Sequence, residues 1–288
     1  MLESLKAEAA KRGDKLGAIS VERLADVKRG FDELGLDTSP YFNFGPRDDL
    51  GFEARCVLAV AAPCPFHSVR FMLGGEAKDV IIPPAYADMG AKHDAIEAYL
   101  RDTLSAHGYK LARAHALPCK PIAVHAGIAE YGRNDIAYAE DMGSFLDIAL
   151  FFSDMSVSFD MFAPMRRMDA CEGCTLCVEN CPTGALSMNK ELINGDICLT
   201  NINERDDDFP DWVKPEWHHV LAGCLKCQDV CPQNTPFLNN IKETASFSEE
   251  ETRAIMNGDI SEELLAPMKL GWLAKAIPRN LNALWGCK

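Results

Sequence analysis

The sequence predicts an α+β fold with a large N-terminal domain, a cysteine-rich domain and a short helical tail. Two apolar runs, residues 56–62 (CVLAVAA) and 145–152 (FLDIALFF), have the length and the β-branched or aromatic content of buried strands. Apolar residues at helical spacing occur near the N-terminus, around residues 96–104 and beyond residue 245. Between these regions, seven of the twelve cysteines fall in two short runs, which set the middle of the chain apart.

The elements follow from local patterns. Residues 1–35 read as two short helices, with Ser20 as a cap and glycines as stops. Residues 63–92 are rich in proline and glycine and are expected to be irregular, and residues 110–117 are a further strand candidate. The predicted domains are residues 1–165 (α+β, ligand-binding), 166–240 (cysteine-rich) and 241–288 (helical tail).

The charge of the chain bears on its partners and its location. The formal net charge is −14, and a broadly acidic surface repels phosphate backbones, which argues against a nucleic-acid partner. No stretch approaches the ~18 continuous apolar residues of a membrane span. The N-terminal residues MLESLKAEAAKRG carry no secretion signal. We therefore expect a cytoplasmic protein with no membrane partner.

The first cysteine run indicates an iron–sulfur site. The cytosol keeps thiols reduced, so clustered cysteines there point to metal rather than to disulfides. The spacing Cys171-x2-Cys174-x2-Cys177-x3-Cys181-Pro is the bacterial ferredoxin run, in which the fourth cysteine serves the other cluster. Zinc is the alternative, but zinc sites use pairs of CxxC rather than a triple followed by Cys-Pro.

The second run completes the ligand count for two [4Fe–4S] clusters. It reads Cys224-x2-Cys227-x3-Cys231-Pro and has three cysteines, and Cys198 between the runs supplies the eighth ligand. The crossed ferredoxin rule predicts two sets. The first quartet is Cys171, Cys174, Cys177 and Cys231, and the second quartet is Cys181, Cys198, Cys224 and Cys227. A different exchange of the two Cys-Pro cysteines would also close the count.

Three segments of this region together resemble the epoxyqueuosine reductase and reductive dehalogenase superfamily. They are CEGCTLCVENCPTGAL, DICLTNINE with its lone Cys198, and GCLKCQDVCPQN. Upstream, HAGIAEYGRNDIAYAEDMGSF (125–145) is similar to the glycine-rich stretch of that superfamily. The resemblance implies a nitroreductase-like α/β sandwich domain that holds a corrinoid (cobalamin), followed by a ferredoxin-like domain whose clusters feed the corrinoid single electrons.

The resemblance also implies which residues contact the corrinoid. In the glycine-rich stretch they are Gly127, Tyr131, Gly132, Arg133, Asn134 and Ser144. In the cluster segment they are Thr200, Asn201, Gln228 and Asp229. Glycines let backbone approach a flat ligand closely, although an ordinary turn explains them equally well. Tyr138 and His115 are candidate proton donors, and a buried aromatic and a solvated histidine are the structural alternatives.

Two features depart from epoxyqueuosine reductases. Those enzymes carry an Asp proton donor shortly before the glycine-rich stretch, whereas the matching region here, LARAHALPCKPIAVHAG, has no acid. Only 57 residues follow Cys231, in place of the helical-repeat tail that reads tRNA in that family.

Three functions therefore remain open. The first is a corrinoid-dependent reductase of a small-molecule substrate, supplied by a low-potential donor such as a ferredoxin or flavodoxin. The second is an electron carrier or reductive activator of a partner corrinoid protein. The third is an epoxyqueuosine reductase that acts on tRNA.

Overall fold

The computed structural model describes residues 1–45, 47–87, 89–190 and 192–286. Its strands are β1 (Lys15–Ser20), β2 (Cys56–Pro63), β3 (Phe66–Leu73), β4 (Glu76–Ile82), β5 (Leu111–Arg113), β6 (Glu130–Tyr131), β7 (Ala137–Tyr138), β8 (Leu146–Ser153) and β9 (Ile241–Phe247). Its helices are α1 (Leu2–Ala10), α2 (Leu24–Glu33), α3 (Met89–Ser105), α4 (Cys119–His125), α5 (Leu176–Glu179), α6 (Leu199–Glu204), α7 (Lys226–Asp229), α8 (Glu249–Asn257), α9 (Glu262–Leu265) and α10 (Ala276–Leu284). The mixture confirms the predicted α+β class.

The chain forms two compact units that are interleaved along the sequence. Unit 1 comprises residues 1–63, 90–132 and 136–169, and unit 2 comprises residues 64–89, 133–135 and 170–288. The predicted domains were consecutive segments. In the structure the cluster segment and the tail share one unit with a hairpin from residues 64–89 and with three residues of the glycine-rich stretch.

Unit 1 is built on an antiparallel sheet of order β1-β2-β8-β5. The two strands predicted from apolar runs, β2 and β8, pair from Cys56 opposite Ser153 to Pro63 opposite Leu146. Both sheet faces are buried, because α1 and α3 cover one face and α2 and α4 cover the other. Full burial of each Val, Leu or Phe side chain contributes roughly 1.5–3 kcal/mol, so these two central strands hold the unit together.

The strand β1 was not predicted, because residues 1–35 read as helical. It is a strand because it pairs antiparallel with β2, from Lys15 opposite Ala61 to Ser20 opposite Cys56. Gly17 in this strand lies against the end of α4, where a Cβ atom would be 2.4 Å from the carbonyl oxygen of Ala126. A larger residue at this position would push α4 away from the sheet.

Unit 2 contains a second sheet of order β4-β3-β9. The turn between β3 and β4 is Gly74-Gly75, and both glycines have positive φ, which is the turn chemistry of a tight hairpin. The expectation of irregular structure across residues 63–92 is therefore wrong for this hairpin. Strand β9 pairs parallel with β3 and helices α8 and α10 pack on the same core, so the predicted helical tail begins with a strand.

Candidate iron–sulfur centre

The eight predicted ligand cysteines lie in short helical turns of unit 2 and in the loops beside them. Cys177 is in α5 and Cys227 is in α7, each with the other cysteines of its run beside it, and Cys198 immediately precedes α6. All eight thiols are free and partly exposed. Such short elements have too little apolar surface to be stable alone, so bound metal is expected to contribute to their folding.

The thiols of the first quartet are electrostatic neighbours. Burial raises the pKa of Cys177, and the charges of Cys171, Cys174 and Cys231 raise it further. Cys231 comes from the second run while the other three come from the first. The electrostatic neighbours of Cys177 therefore include one cysteine of the other run, as the crossed ligand rule predicts.

The second quartet shows the same relation. Burial raises the pKa of Cys224 to about 12, and nearby Cys198 and Cys181 add to the shift. Burial also raises the pKa of Cys227, with contributions from Cys224, Cys198 and Cys177, the last of which belongs to the first predicted quartet.

These neighbour relations fit two cubane clusters held by crossed ligands, although the assignment of each thiol to a cluster stays a prediction. Within the described ranges, no three His, Cys, Asp or Glu side chains converge on a site for a single metal ion.

Two residues of the glycine-rich stretch bind the cluster segment. The backbone N–H of Arg133 points at Cys171 Sγ at 3.4 Å, and its guanidinium donates to the carbonyl oxygen of Cys171 at 2.7 Å. The Asn134 side-chain amide donates to the carbonyl oxygen of Cys227 at 3.4 Å. Hydrogen bonds of this kind orient ligands and tune cluster potential, so one function of these predicted corrinoid contacts is to support the cluster loops.

The other predicted contacts of unit 2 lie on the helices that follow the ligands. Thr200 and Asn201 are half-buried in α6, and the Asn201 amide donates to the carbonyl oxygen of Gly195 at 2.9 Å. Gln228 and Asp229 end α7, and the backbone carbonyl of Gln228 accepts from the Asn234 amide at 2.9 Å. A corrinoid contact by any of these four residues stays a prediction.

Unit 1 brings two of its predicted site residues together at a cavity of about 680 Å³. Gly127 and Tyr138 both line this cavity, with charged side chains around its mouth. Those residues are Lys6, Asp14, Lys15, Glu130, Glu140 and Arg166. Tyr138 is buried in β7, and it is therefore a candidate proton donor that faces a cavity.

The remaining predicted residues of unit 1 lie elsewhere. Tyr131 and Gly132 form the β6–β7 hairpin, where the Gly132 N–H donates to the carbonyl oxygen of Ile136 at 2.8 Å. Ser144 is buried just before β8. His115 is exposed and is not among the described residues that line the cavity, so Tyr138 is the better placed of the two proton-donor candidates.

A buried pair of titratable side chains in unit 1 was not predicted. His93 Nε2 of α3 lies 2.9 Å from Asp147 Oδ2 of β8. The two atoms are close enough for an ion pair, yet they are not aligned for a hydrogen bond. Asp147 sits in a strand that reads as an apolar run, and its partner is far away in the sequence, so no local pattern could reveal the pair.

Comparisons with known proteins agree with an iron–sulfur site in the cysteine-rich segment. Residues 170–234 match the family described as a 4Fe-4S double cluster binding domain, which supports two clusters in this segment. An epoxyqueuosine reductase from Cyclobacterium marinum is 27% identical over 194 residues, covering 67% of this chain and 56% of that protein.

The fold agrees over nearly the whole chain. The structure of epoxyqueuosine reductase from Bacillus subtilis covers 98% of this chain and 80% of its own, with a TM-score of 0.67 and 21% identity. The chain is thus similar to epoxyqueuosine reductases in sequence over 194 residues and in fold over 98% of its length. It spans about half the length of the curated relative from Cyclobacterium marinum.

A further relative bears on the predicted partners. An epoxyqueuosine reductase crystallised with an epoxyqueuosine-modified tRNA stem loop matches 98% of this chain, with a TM-score of 0.65 and 21% identity. That protein was solved with a nucleic acid, whereas the acidic charge of this chain predicts no nucleic-acid partner. As for membranes, no helix among the described residues combines the length and the apolar character needed to span one.

Proposed function

We propose that this chain is an iron–sulfur reductase that acts on the epoxide of an epoxyqueuosine-type substrate in tRNA. The observation that carries the proposal is that the eight predicted ligand cysteines are electrostatic neighbours of one another within unit 2. The similarity to epoxyqueuosine reductases supplies the substrate class. This is the third of the functions that the sequence left open, and it takes tRNA in place of the small-molecule substrate of the first.

The stoichiometry of the proposed reaction requires an electron-transfer route and a proton source. Reduction of an epoxide to an alkene consumes two electrons and two protons and releases one water. Each [4Fe–4S] cluster passes one electron at a time, so electrons from a ferredoxin or flavodoxin would arrive singly. A corrinoid, which the resemblance implies, would supply a centre that reacts with the substrate.

The residues of unit 1 support a ligand site beside a proton donor. The cavity exposes the backbone around Gly127, where a flat ligand could approach closely. The hydroxyl-bearing Tyr138 lines the same cavity, which would allow proton transfer to a bound ligand. A pure electron carrier needs neither feature, so the cavity favours an enzyme over the carrier or activator.

Charge is the main restriction on a tRNA substrate. The cations at the cavity are already paired: Lys15 with Glu140 at 3.0 Å and Arg166 with Glu130 at 2.9 Å. Few cations are therefore available to replace the counterions of a nucleic acid, and binding is expected to be weak and to decline with salt.

The test starts from anaerobic reconstitution with iron, sulfide and hydroxocobalamin, followed by iron and cobalt counts on the desalted protein. The reduced protein is then incubated with tRNA that contains epoxyqueuosine and, separately, with the epoxyqueuosine nucleoside. Conversion of the tRNA supports the proposal, and conversion of the nucleoside alone moves the function to a smaller substrate.

Two variants and one negative result complete the design. Tyr138→Phe should lower turnover without loss of iron, and His115→Gln serves as the control because His115 is exposed away from the cavity. Two clusters with no retained cobalt and no turnover would overturn the proposal in favour of an electron carrier or activator of a corrinoid protein.

A further inference from the structure

We propose that Tyr86 is a positioning residue that covers the second cluster and fixes the separation of its ligands Cys198 and Cys224. The inference rests on the proposed role of the second quartet as the ligand set of one cluster. It is carried by contacts among residues of unit 2 that are far apart in sequence.

The Tyr86 ring is held on two sides. Its hydroxyl donates a hydrogen bond to the Glu204 carboxylate at the end of α6. Its ring stacks on Trp272, with centroids 5.9 Å apart and an interplanar angle of 27°. Trp272 is itself 55% exposed, so its ring lies on the solvent side of the Tyr86 ring.

The turn before Cys224 accommodates the Tyr86 hydroxyl. Gly223 has φ +63, and a Cβ atom built on it would lie 2.4 Å from the Tyr86 hydroxyl oxygen and 2.8 Å from Tyr86 Cζ. Glycine is therefore needed twice here, once for the left-handed backbone and once for the space that the phenol occupies. The residue that bears the ligand is thus adjacent to the covering ring.

Helix α6 holds the same turn from the other side. The side-chain amide of Asn203 donates to the carbonyl oxygen of Gly223 at 2.7 Å. The Asn280 amide in turn donates to the carbonyl oxygens of Asn203 at 2.8 Å and Leu221 at 3.0 Å. Asn203 and Asn280 are both 1% exposed, so these bonds form in a water-poor environment where they are strong.

Two consecutive residues of α6 thus bind the Gly223 turn by different routes. Asn203 bonds it directly, and Glu204 holds the tyrosine that packs on it. Because α6 begins immediately after Cys198 and Gly223 immediately precedes Cys224, these contacts join the backbone at two ligands of one quartet. Because the Tyr86 hydroxyl packs against Gly223, the phenol lies beside the backbone that leads into Cys224.

This arrangement has a redox consequence. A thiolate-ligated [4Fe–4S] cluster becomes more negative on reduction, and water stabilises the more highly charged form. A ring that keeps water away therefore lowers the reduction potential of the cluster beneath it. The same ring also slows access of chelators to its iron.

The experiment uses the full chain, reconstituted anaerobically with both clusters. EPR-monitored redox titration gives the midpoint potential of each cluster, and the rate of iron loss to a chelator gives its accessibility. Cys198→Ala removes the second cluster and so identifies its EPR signal. Tyr86→Ala should raise the potential of that cluster and speed its iron loss several-fold, with the first cluster unchanged.

Milder variants distinguish the loss of the ring that covers the second cluster from a general loss of folded structure. Tyr86→Phe keeps the ring and should change the potential less than Tyr86→Ala. Glu204→Ala should speed iron loss from the second cluster, whereas Glu204→Gln, which keeps an acceptor oxygen, should restore the wild-type rate. If Tyr86→Ala yields no folded protein, the comparison of Glu204→Ala with Glu204→Gln tests the covering role of Tyr86.

The proposal is overturned if Tyr86→Ala leaves both potentials and both rates at wild-type values, or if Glu204→Ala and Glu204→Gln behave alike. A different result would indicate a wrong ligand assignment: Cys198→Ala would then remove neither EPR signal or both. The failure of the ligand assignment and the failure of the covering role are therefore distinguishable.

Discussion

Replacing Gly223 with alanine is expected to destabilise its cluster much more than the same change at Gly173 destabilises the other cluster. Gly223 immediately precedes Cys224, and Gly173 immediately precedes Cys174. Their φ angles are +63 and +67, so alanine incurs about the same left-handed backbone penalty at each, roughly 1–2 kcal/mol. The pair is therefore matched in sequence context and in backbone strain.

The two positions differ in the space around the added methyl group. At Gly223 the new Cβ would lie 2.4 Å from the Tyr86 hydroxyl oxygen. At Gly173, apart from its two chain neighbours, no heavy atom of the described residues lies within 4 Å. Overpacking of this kind typically costs about 1–3 kcal/mol. Since about 1.4 kcal/mol is a factor of ten in rate, iron loss at Gly223→Ala should be faster by roughly 5- to 150-fold beyond the effect of Gly173→Ala.

The assay is the rate of iron transfer to a chelator, with EPR to assign the loss to one cluster. A double-mutant cycle isolates the clash. In a Tyr86→Ala background the obstructing ring is absent, so Gly223→Ala should cost only the backbone strain. Equal rates for Gly223→Ala and Gly173→Ala would refute the reasoning, as would an undiminished effect of Gly223→Ala in the absence of the ring.

Three further predictions follow from the site. Cys198→Ala should lower the iron count from about eight to about four per chain, because no neighbouring cysteine can replace this ligand; an unchanged iron analysis would contradict the ligand count. Arg133→Ala removes the donor to the Cys171 carbonyl, a charged bond worth about 1.5–3 kcal/mol, so iron should leave the first cluster faster while the second is unaffected. Burial and the charge of Arg279 lower the pKa of His218 to about 4 from an ordinary 6.5. The unfolded chain therefore binds a proton at this histidine more readily than the folded chain does. The free energy of unfolding is highest above pH 6.5 and falls as the pH is lowered towards 4. In His218→Gln the free energy of unfolding, measured by denaturant titration, should depend less steeply on pH over that range. An unchanged pH dependence would show that His218 is not its source.

The strands that were predicted correctly are those whose burial does not depend on a distant partner. Strands β2 and β8 are apolar on both faces and identify themselves by composition. By contrast, β9 (IKETASF) is mostly exposed, and it is a strand because it pairs with β3. The hairpin of β3 and β4 carried a local signal in Gly74-Gly75, which the surrounding prolines obscured.

The candidate site also has a part that local sequence predicts and a part that it does not. The thiol quartets are predicted from the cysteine spacing, because three cysteines within one or two helical turns have few geometries available. The contact of Tyr86 with Glu204 joins residues 118 positions apart, and the need for glycine at position 223 appears only when that ring is in place. Arg133 and Asn134 are predicted to contact a corrinoid, which stays a prediction. Their hydrogen bonds to the backbone of Cys171 and Cys227 depend on tertiary structure and could not be predicted.

The interleaving of unit 2 along the chain has a consequence for biogenesis. Its sheet joins β3, near residue 70, to β9, near residue 244, and the cysteine runs are translated between these two strands. Tyr86 is synthesised before the cysteine runs, while Trp272 and Asn280 are synthesised after them. The contacts around the second quartet can therefore all form only after residue 280 has been synthesised, and we expect iron–sulfur assembly factors to load this quartet after that point.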